Sequence, residues 1–177
     1  MKRFIKLFIV MCASLVLAGC AHDFDDIFNH DNEDVFDAVD LFNGLSSDPE
    51  STYQYPDLIA SMISNSGGKM PVPEDKAYAM VINERNLLDG WPEIDFENYS
   101  LVVGWFYGSS NDRIVRQRLQ INATDNEAIL YLELGIPHDD LYDGIVFNYC
   151  AHYFAALYPK FNNKISVVWR KYDHINQ

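Results

Sequence analysis

Residues 99–134, YSLVVGWFYGSSNDRIVRQRLQINATDNEAILYLEL, decide the fold. Two clusters of turn formers, Gly108-Ser109-Ser110-Asn111-Asp112 and the stretch 122–126, cut this segment into strand-like runs at 100–107, 113–121 and 127–134. In the second run Val115, Leu119 and Ile121 share a face, with Arg116 and Arg118 opposite. In the third, Ala128, Leu130, Leu132 and Leu134 fall together. Apolar and polar residues alternating with period two imply half-buried antiparallel strands.

Working outward, 145–157 alternates through Ile145, Phe147, Tyr149, Ala151, Tyr153, Ala155 and Leu157. Val146, Tyr149, Tyr153 and Leu157 would also suit a helix, but the aromatic and β-branched residues of its first half favour a strand. A last strand is expected over 164–172. Upstream, 77–82 reads as a strand, followed by a helical turn over 84–89. Before these, Ser66-Gly67-Gly68 and Met70-Pro71-Val72-Pro73 break regular structure. Leu58, Ile59, Met62 and Ile63 mark a short helix over 55–64, and Val35, Val39 and Phe42, beside Phe36, mark another over 33–43. The fold class expected is α+β, an antiparallel meander of about six strands with a few short helices on one face, in a globular domain over 77–177.

The chain begins with a basic start (Lys2, Arg3, Lys6), an apolar stretch over 7–17, and the small residues Ala18 and Gly19. This is the pattern of a secretory signal at 1–19, since eleven apolar residues fall short of the ~20 a spanning helix needs. Leu17-Ala18-Gly19-Cys20 resembles the lipobox of bacterial lipoproteins. The resemblance implies a thioether-linked diacylglycerol on Cys20 and an acyl chain such as palmitate on its amine. Two or three chains make a firm anchor, because each buried methylene contributes ~0.8 kcal/mol. Ala21 is not the aspartate that resembles an inner-membrane retention signal, so the expected location is the cell envelope at the outer membrane, facing the periplasm or the surface.

With the signal removed, ten basic residues remain against 26 acidic ones, which argues against nucleic acid as a partner. No Lys or Arg occurs between Leu7 and Gly68, a span carrying eleven Asp and Glu residues. Residues 20–76 are therefore expected to form an acidic tether with short helices, serving as spacer or as binding arm. Cys12 leaves with the signal and Cys20 is consumed by lipid, so Cys150 is left without an intramolecular disulfide partner.

Val81-Ile82, Pro92-Glu93-Ile94-Asp95-Phe96, the stretch 99–104 and Leu157-Tyr158-Pro159-Lys160 follow an order that resembles the PrcB-like protease-complex stability domain and related small bacterial lipoproteins. The likeness covers roughly 78–172 and rests on scaffold residues. It implies a non-enzymatic lipoprotein that binds or stabilises a larger protein partner, and it transfers no site residues.

The candidate chemistry is sparse. Cys150 and His152, with Asn148 beside them, lie two apart in a strand, about 6.5–7 Å along the axis, so a direct bond needs unusual rotamers and a packed thiol is expected. His138, Asp139, Asp140 and Asp143 could supply oxygen ligands to Ca²⁺ but lack EF-hand spacing, and read as a turn. His22 and His30 lack zinc-type spacing. Asn122-Ala123-Thr124 matches a glycosylation sequon but reads as a hairpin turn. Arg113, Arg116 and Arg118 could grip an acidic ligand or pair across the sheet with Glu127 or Glu133. Trp105 and Trp169 belong to core runs, while Trp91, between Gly90 and Pro92, is a candidate ligand platform or a lid on the core. No complete catalytic constellation, metal site or cofactor motif stands out. The expected function is a lipid-anchored protein-interaction module; the alternative is a carbohydrate or small-ligand binder, and a hydrolase ranks last.

Overall fold

The computed structural model describes residues 24–29, 33–39, 55–72, 75–83, 91–122, 126–135 and 148–171. The chain forms two compact units, residues 1–30 and 31–177. The first contains helix α1 (Phe24–Asn29), whose Phe24 and Phe28 rings stack one turn apart at 6.1 Å. Phe24, Ile27 and Phe28 fall at i, i+3 and i+4, on one face of this helix.

The second unit is β-rich. Its elements are β1 (Val35–Asp37), α2 (Pro56–Asn65), β2 (Ala77–Ile82), β3 (Tyr99–Ser109), β4 (Arg113–Asn122), β5 (Glu127–Gly135), β6 (Tyr149–Pro159) and β7 (Lys164–Lys171). The strands divide between two sheets, ordered β1-β4-β5-β7 and β2-β3-β6. This corrects the single antiparallel meander. Among the described residues, consecutive strands pair only at β2–β3 and β4–β5, and β7 runs parallel to β5. The reason is that β6 is spent in the other sheet, so β7 returns in the direction of β5.

One core lies between the sheets. Val102, Phe106, Phe154, Ala156 and Tyr158 meet Ile114, Leu119, Ala128, Leu130, Leu132 and Leu134 there. A second core covers the other face of β3, where Leu101, Val103 and Trp105 pack under Ile59, Met62 and Ile63 of α2 and under Ile94 and Phe96. The β3 strand is thus buried on both faces, which is why its sequence is nearly continuous apolar rather than alternating. Each large apolar side chain so buried contributes about 1.5–3 kcal/mol. Trp105 satisfies its indole N–H on the Lys69 carbonyl at 2.7 Å. Gly104 is required, because a Cβ there would strike the Tyr78 carbonyl and the Phe154 ring.

The helix expected over 33–43 is a strand where it is described. Val35, Phe36 and Asp37 pair with Gln120, Leu119 and Arg118 of β4. Phe36 and Ala38 turn into the core, while Asp37 faces out and binds Arg118. The free edge of β4 supplies ladder bonds that a short helix would forgo. Residues 35–39 and 55–65, expected within the tether, are built into the folded unit.

A second correction concerns β4. A bulge between Ile114 and Arg116 changes the side-chain parity, so Ile114 rather than Val115 joins Leu119 in the core. The β4–β5 turn ends at Asn126 with φ 53°, a left-handed conformation that asparagine tolerates. The expected strands over 77–82, 100–107, 113–121 and 127–134 and the helix over 55–64 are found within one or two residues of those bounds. The turn over 84–89, residues 145–147 and Tyr172 lie outside the described residues.

Candidate interaction site at the outer edge of β6

The edge of β6 is set by its pairing. On one side it runs antiparallel to β3 in an unbroken register from Tyr99↔Pro159 to Ser109↔Tyr149. On the other, Val39 and Leu157 exchange both backbone bonds, at 2.9 and 3.1 Å. Leu157 therefore points its N–H and C=O away from β3, and alternation carries that direction to Ala155, Tyr153 and Ala151. The facing strand agrees: Tyr107, opposite Ala151, donates its N–H to Lys76 and not to β6. Among the described residues no strand pairs with Ala151 and Tyr153 on this outer side.

A recess of about 240 Å³ opens at this place, lined by Pro56, Ser110, Arg113, Ala151, His152 and Tyr153. Several chain segments converge on it: the start of α2, the β3–β4 turn and the first half of β6. Tyr149, at the start of β6, is 76% exposed, and Tyr55 and Val39 are also exposed. The Arg113 guanidinium is braced by the Ser110 and Asp112 carbonyls at 2.8 and 2.9 Å. Asp112 is buried. It accepts the Ser109 N–H at 2.8 Å and pairs with Lys171 at 2.6 Å. The Ser109 hydroxyl and the Asn111 amide nitrogen nearby in sequence are buried without a hydrogen-bond partner among the described residues.

Cys150 and His152 come closer than strand spacing implies, with Sγ 3.5 Å from Nε2. The same Nε2 lies 2.7 Å from the Ser109 carbonyl, which can only accept, so Nε2 carries the proton and cannot take one from the thiol. Burial holds the imidazole below its ordinary range, an effect reinforced by Arg113 and opposed by the Ser109 bond and Asp112. Burial pushes the Cys150 thiol up, against the pull of Arg113. A neutral thiol beside a neutral imidazole stacked on Phe106 at 4.7 Å is packing, not an activated nucleophile. Burial also raises the Tyr153 phenol, with Tyr107 and Asp57 adding to it.

The arginines divide their roles. Arg116 and Arg170 both bind Glu133 on the outer face of β4, β5 and β7, Arg170 Nε at 2.7 Å, so the expected cross-sheet pair of Arg116 with Glu133 forms. Arg118 binds Asp37 instead of Glu127 or Glu133, at 2.7 Å. Trp91 is half-buried against the second core, as a lid would be. Cys20, His22, His30, His138, Asp139, Asp140, Asp143, Ala123 and Thr124 lie outside the described residues. Among the described residues, no three His, Cys, Asp or Glu gather to hold a metal ion, and no helix is long and apolar enough to cross a membrane.

The sequence pointed to Cys150, His152 and Arg113 but not to what joins them. Nothing in the order of residues marks Ala151 and Tyr153 as edge positions, because that depends on which strands flank β6. Comparison with protein-family models, with curated proteins and with solved structures gives no match.

Proposed function

We propose that the protein is a lipid-anchored module of the cell envelope that binds another protein at the outer edge of β6. The observation that carries the reading is the recess lined by Ala151 and Tyr153, where outward backbone groups of β6 meet an arginine held by the Ser110 and Asp112 carbonyls. The anchor rests on the lipobox at Cys20, and the binding role agrees with the PrcB-like resemblance of 78–172. A non-enzymatic role fits the neutral Cys150–His152 pair. A small-ligand or glycan binder is the second reading, supported by the same recess with Tyr153 and Arg113 in its lining.

The test is in-cell photo-cross-linking from a reactive residue at Tyr149, with the same residue at exposed Met70 as control. The expected result is a discrete protein adduct from position 149 and none from position 70. Equal adducts at both positions, or none at 149 while envelope glycans co-purify, would overturn the reading. Cys20→Ser is expected to move the protein from the membrane to the soluble envelope fraction. A wild-type protein already found in the soluble fraction would remove the anchor.

A further inference from the structure

We infer that residues 33–39 are a releasable latch: the segment leaves the seam between β4 and β6 as a unit while both sheets stay folded, and the opened seam receives the same segment from a second copy of the chain. The inference stands apart from the partner site proposed above.

The two sheets are joined at both sides. On one side β2 and β7, an edge strand from each sheet, lie against each other. On the other, 33–39 crosses from sheet to sheet. The Asp34 carbonyl accepts the Ile121 N–H at 2.9 Å, Val35–Asp37 pairs with β4, and Val39 exchanges both backbone bonds with Leu157 of β6. One short segment thus bonds to both sheets. It also comes first in its unit, which begins at residue 31, so it can leave without breaking the pairing among the strands that follow.

What the latch buries is modest. Phe36 is half-buried and Ala38 is small, while the Asp37 side chain is 69% exposed and Val39 is 39% exposed. Segments that bury few apolar side chains open at lower free energy than the core strands around them. A second observation lies beneath the latch. Tyr158, next to Leu157, enters the same core as Phe36 and Ala38 and is fully buried, yet its hydroxyl has no hydrogen-bond partner among the described residues. Burial pushes this phenol up and the nearby Asp37 carboxylate adds to the push, which places the hydroxyl under β1. A buried hydroxyl without a partner favours any state that lets water reach it. The closed latch therefore carries a cost that opening relieves.

Opening uncovers one edge of β4 and the outward N–H and C=O of Leu157, a template for an extended chain. The closed state specifies the occupant. Phe36 and Ala38 face inward at alternate positions, and the Asp37 carboxylate between them meets Arg118 at 2.7 Å. The segment that satisfies all three is 33–39 itself, and exchange of an identical element between copies requires no new kind of contact.

The test combines amide hydrogen exchange on the full folded protein with titration of an acetylated, amidated peptide of residues 33–39. The Val39, Leu157 and Ile121 amides are expected to exchange at one shared rate, faster than amides bonded within the β3–β6 and β4–β5 ladders. Tyr158→Phe, which removes the hydroxyl, should slow the three amides about fivefold. Phe36→Ala should speed them about tenfold and, because it enlarges the open fraction, should tighten binding of the peptide by the same factor. Asp37→Asn should do both to a smaller extent and serves if Phe36→Ala does not fold. Exchange of the three amides only together with the ladders, no slowing in Tyr158→Phe, or faster exchange in the latch variants without tighter peptide binding would each overturn the inference.

Discussion

Two buried carboxylates, Glu133 and Asp112, show how differently this fold treats its polar interior. Glu133 lies in mid-sheet on β5 and receives guanidinium groups from both flanking strands, Arg116 from β4 and Arg170 from β7. Its side chain is 2% exposed and both of its oxygens are engaged. Asp112 is buried to the same degree, but in the β3–β4 turn at the end of the sandwich. It too has a cation and a backbone donor, yet the Ser109 hydroxyl and Asn111 amide beside it have no partner among the described residues. Rigid strands on both sides let one site close its hydrogen bonds completely. The other lies between Ser110 and Arg113, which line the recess, where among the described residues the outer edge of β6 has no strand partner. Polar groups left unsatisfied cost about 1–3 kcal/mol each, so they are expected where a fold is shaped by binding rather than by stability alone.

The largest effect is expected at Glu133. Glu133→Gln leaves two guanidinium groups facing a neutral amide, and removing one partner of a buried pair costs about 3–5 kcal/mol. Because Arg116 is 45% exposed and screened by water, the lower end, about 3 kcal/mol, is expected in urea denaturation. A loss below about 1 kcal/mol would show that the clamp is ornamental to stability.

Asp112→Asn is milder, since the amide oxygen can still accept the Ser109 N–H while the pairing with Lys171 is lost. A loss of about 1–2 kcal/mol is expected in the same measurement. A cost equal to that of Glu133→Gln would erase the distinction between the closed and the open site.

The smallest effect sharpens the contrast by pH. His152 is held below its unfolded range, so the unfolded chain binds its proton first as pH falls. Stability from this group is complete above about 6.5, the unfolded pKa, and declines as pH drops through that value toward the depressed folded one. His152→Gln keeps a donor for the Ser109 carbonyl and removes the titration. The stability profile between pH 7 and 5.5 should be flatter in the variant than in the wild type. Identical slopes would mean the imidazole is not desolvated in the folded state.

The residues themselves made β2 to β5, β7, most of β6 and one helix legible, because alternation and turn chemistry act over neighbouring positions and are written in their order. Ala128, Leu130, Leu132 and Leu134 enter the core as their spacing requires. The 33–43 segment misled for a physical reason. Val35, Phe36 and Val39 satisfy a helical stripe and a strand equally well, and the unpaired edge of β4 decided between them. Arg116 with Glu133 was readable as one of two cross-strand options. Arg170 as the second clamp was not, because it comes from a parallel neighbour distant in sequence.

From sequence alone come the charge of the chain, the Cys20 motif with its expected lipid anchor, and the local strand periods. Only the tertiary structure decided that the strands split into two sheets, that a bulge exchanges Val115 for Ile114 in the core, and that among the described residues part of one β6 edge has no strand partner. Periodicity is a local property. Which backbone groups remain to be paired is a global one, settled by where each strand finds its neighbour, and the candidate site is made of that remainder.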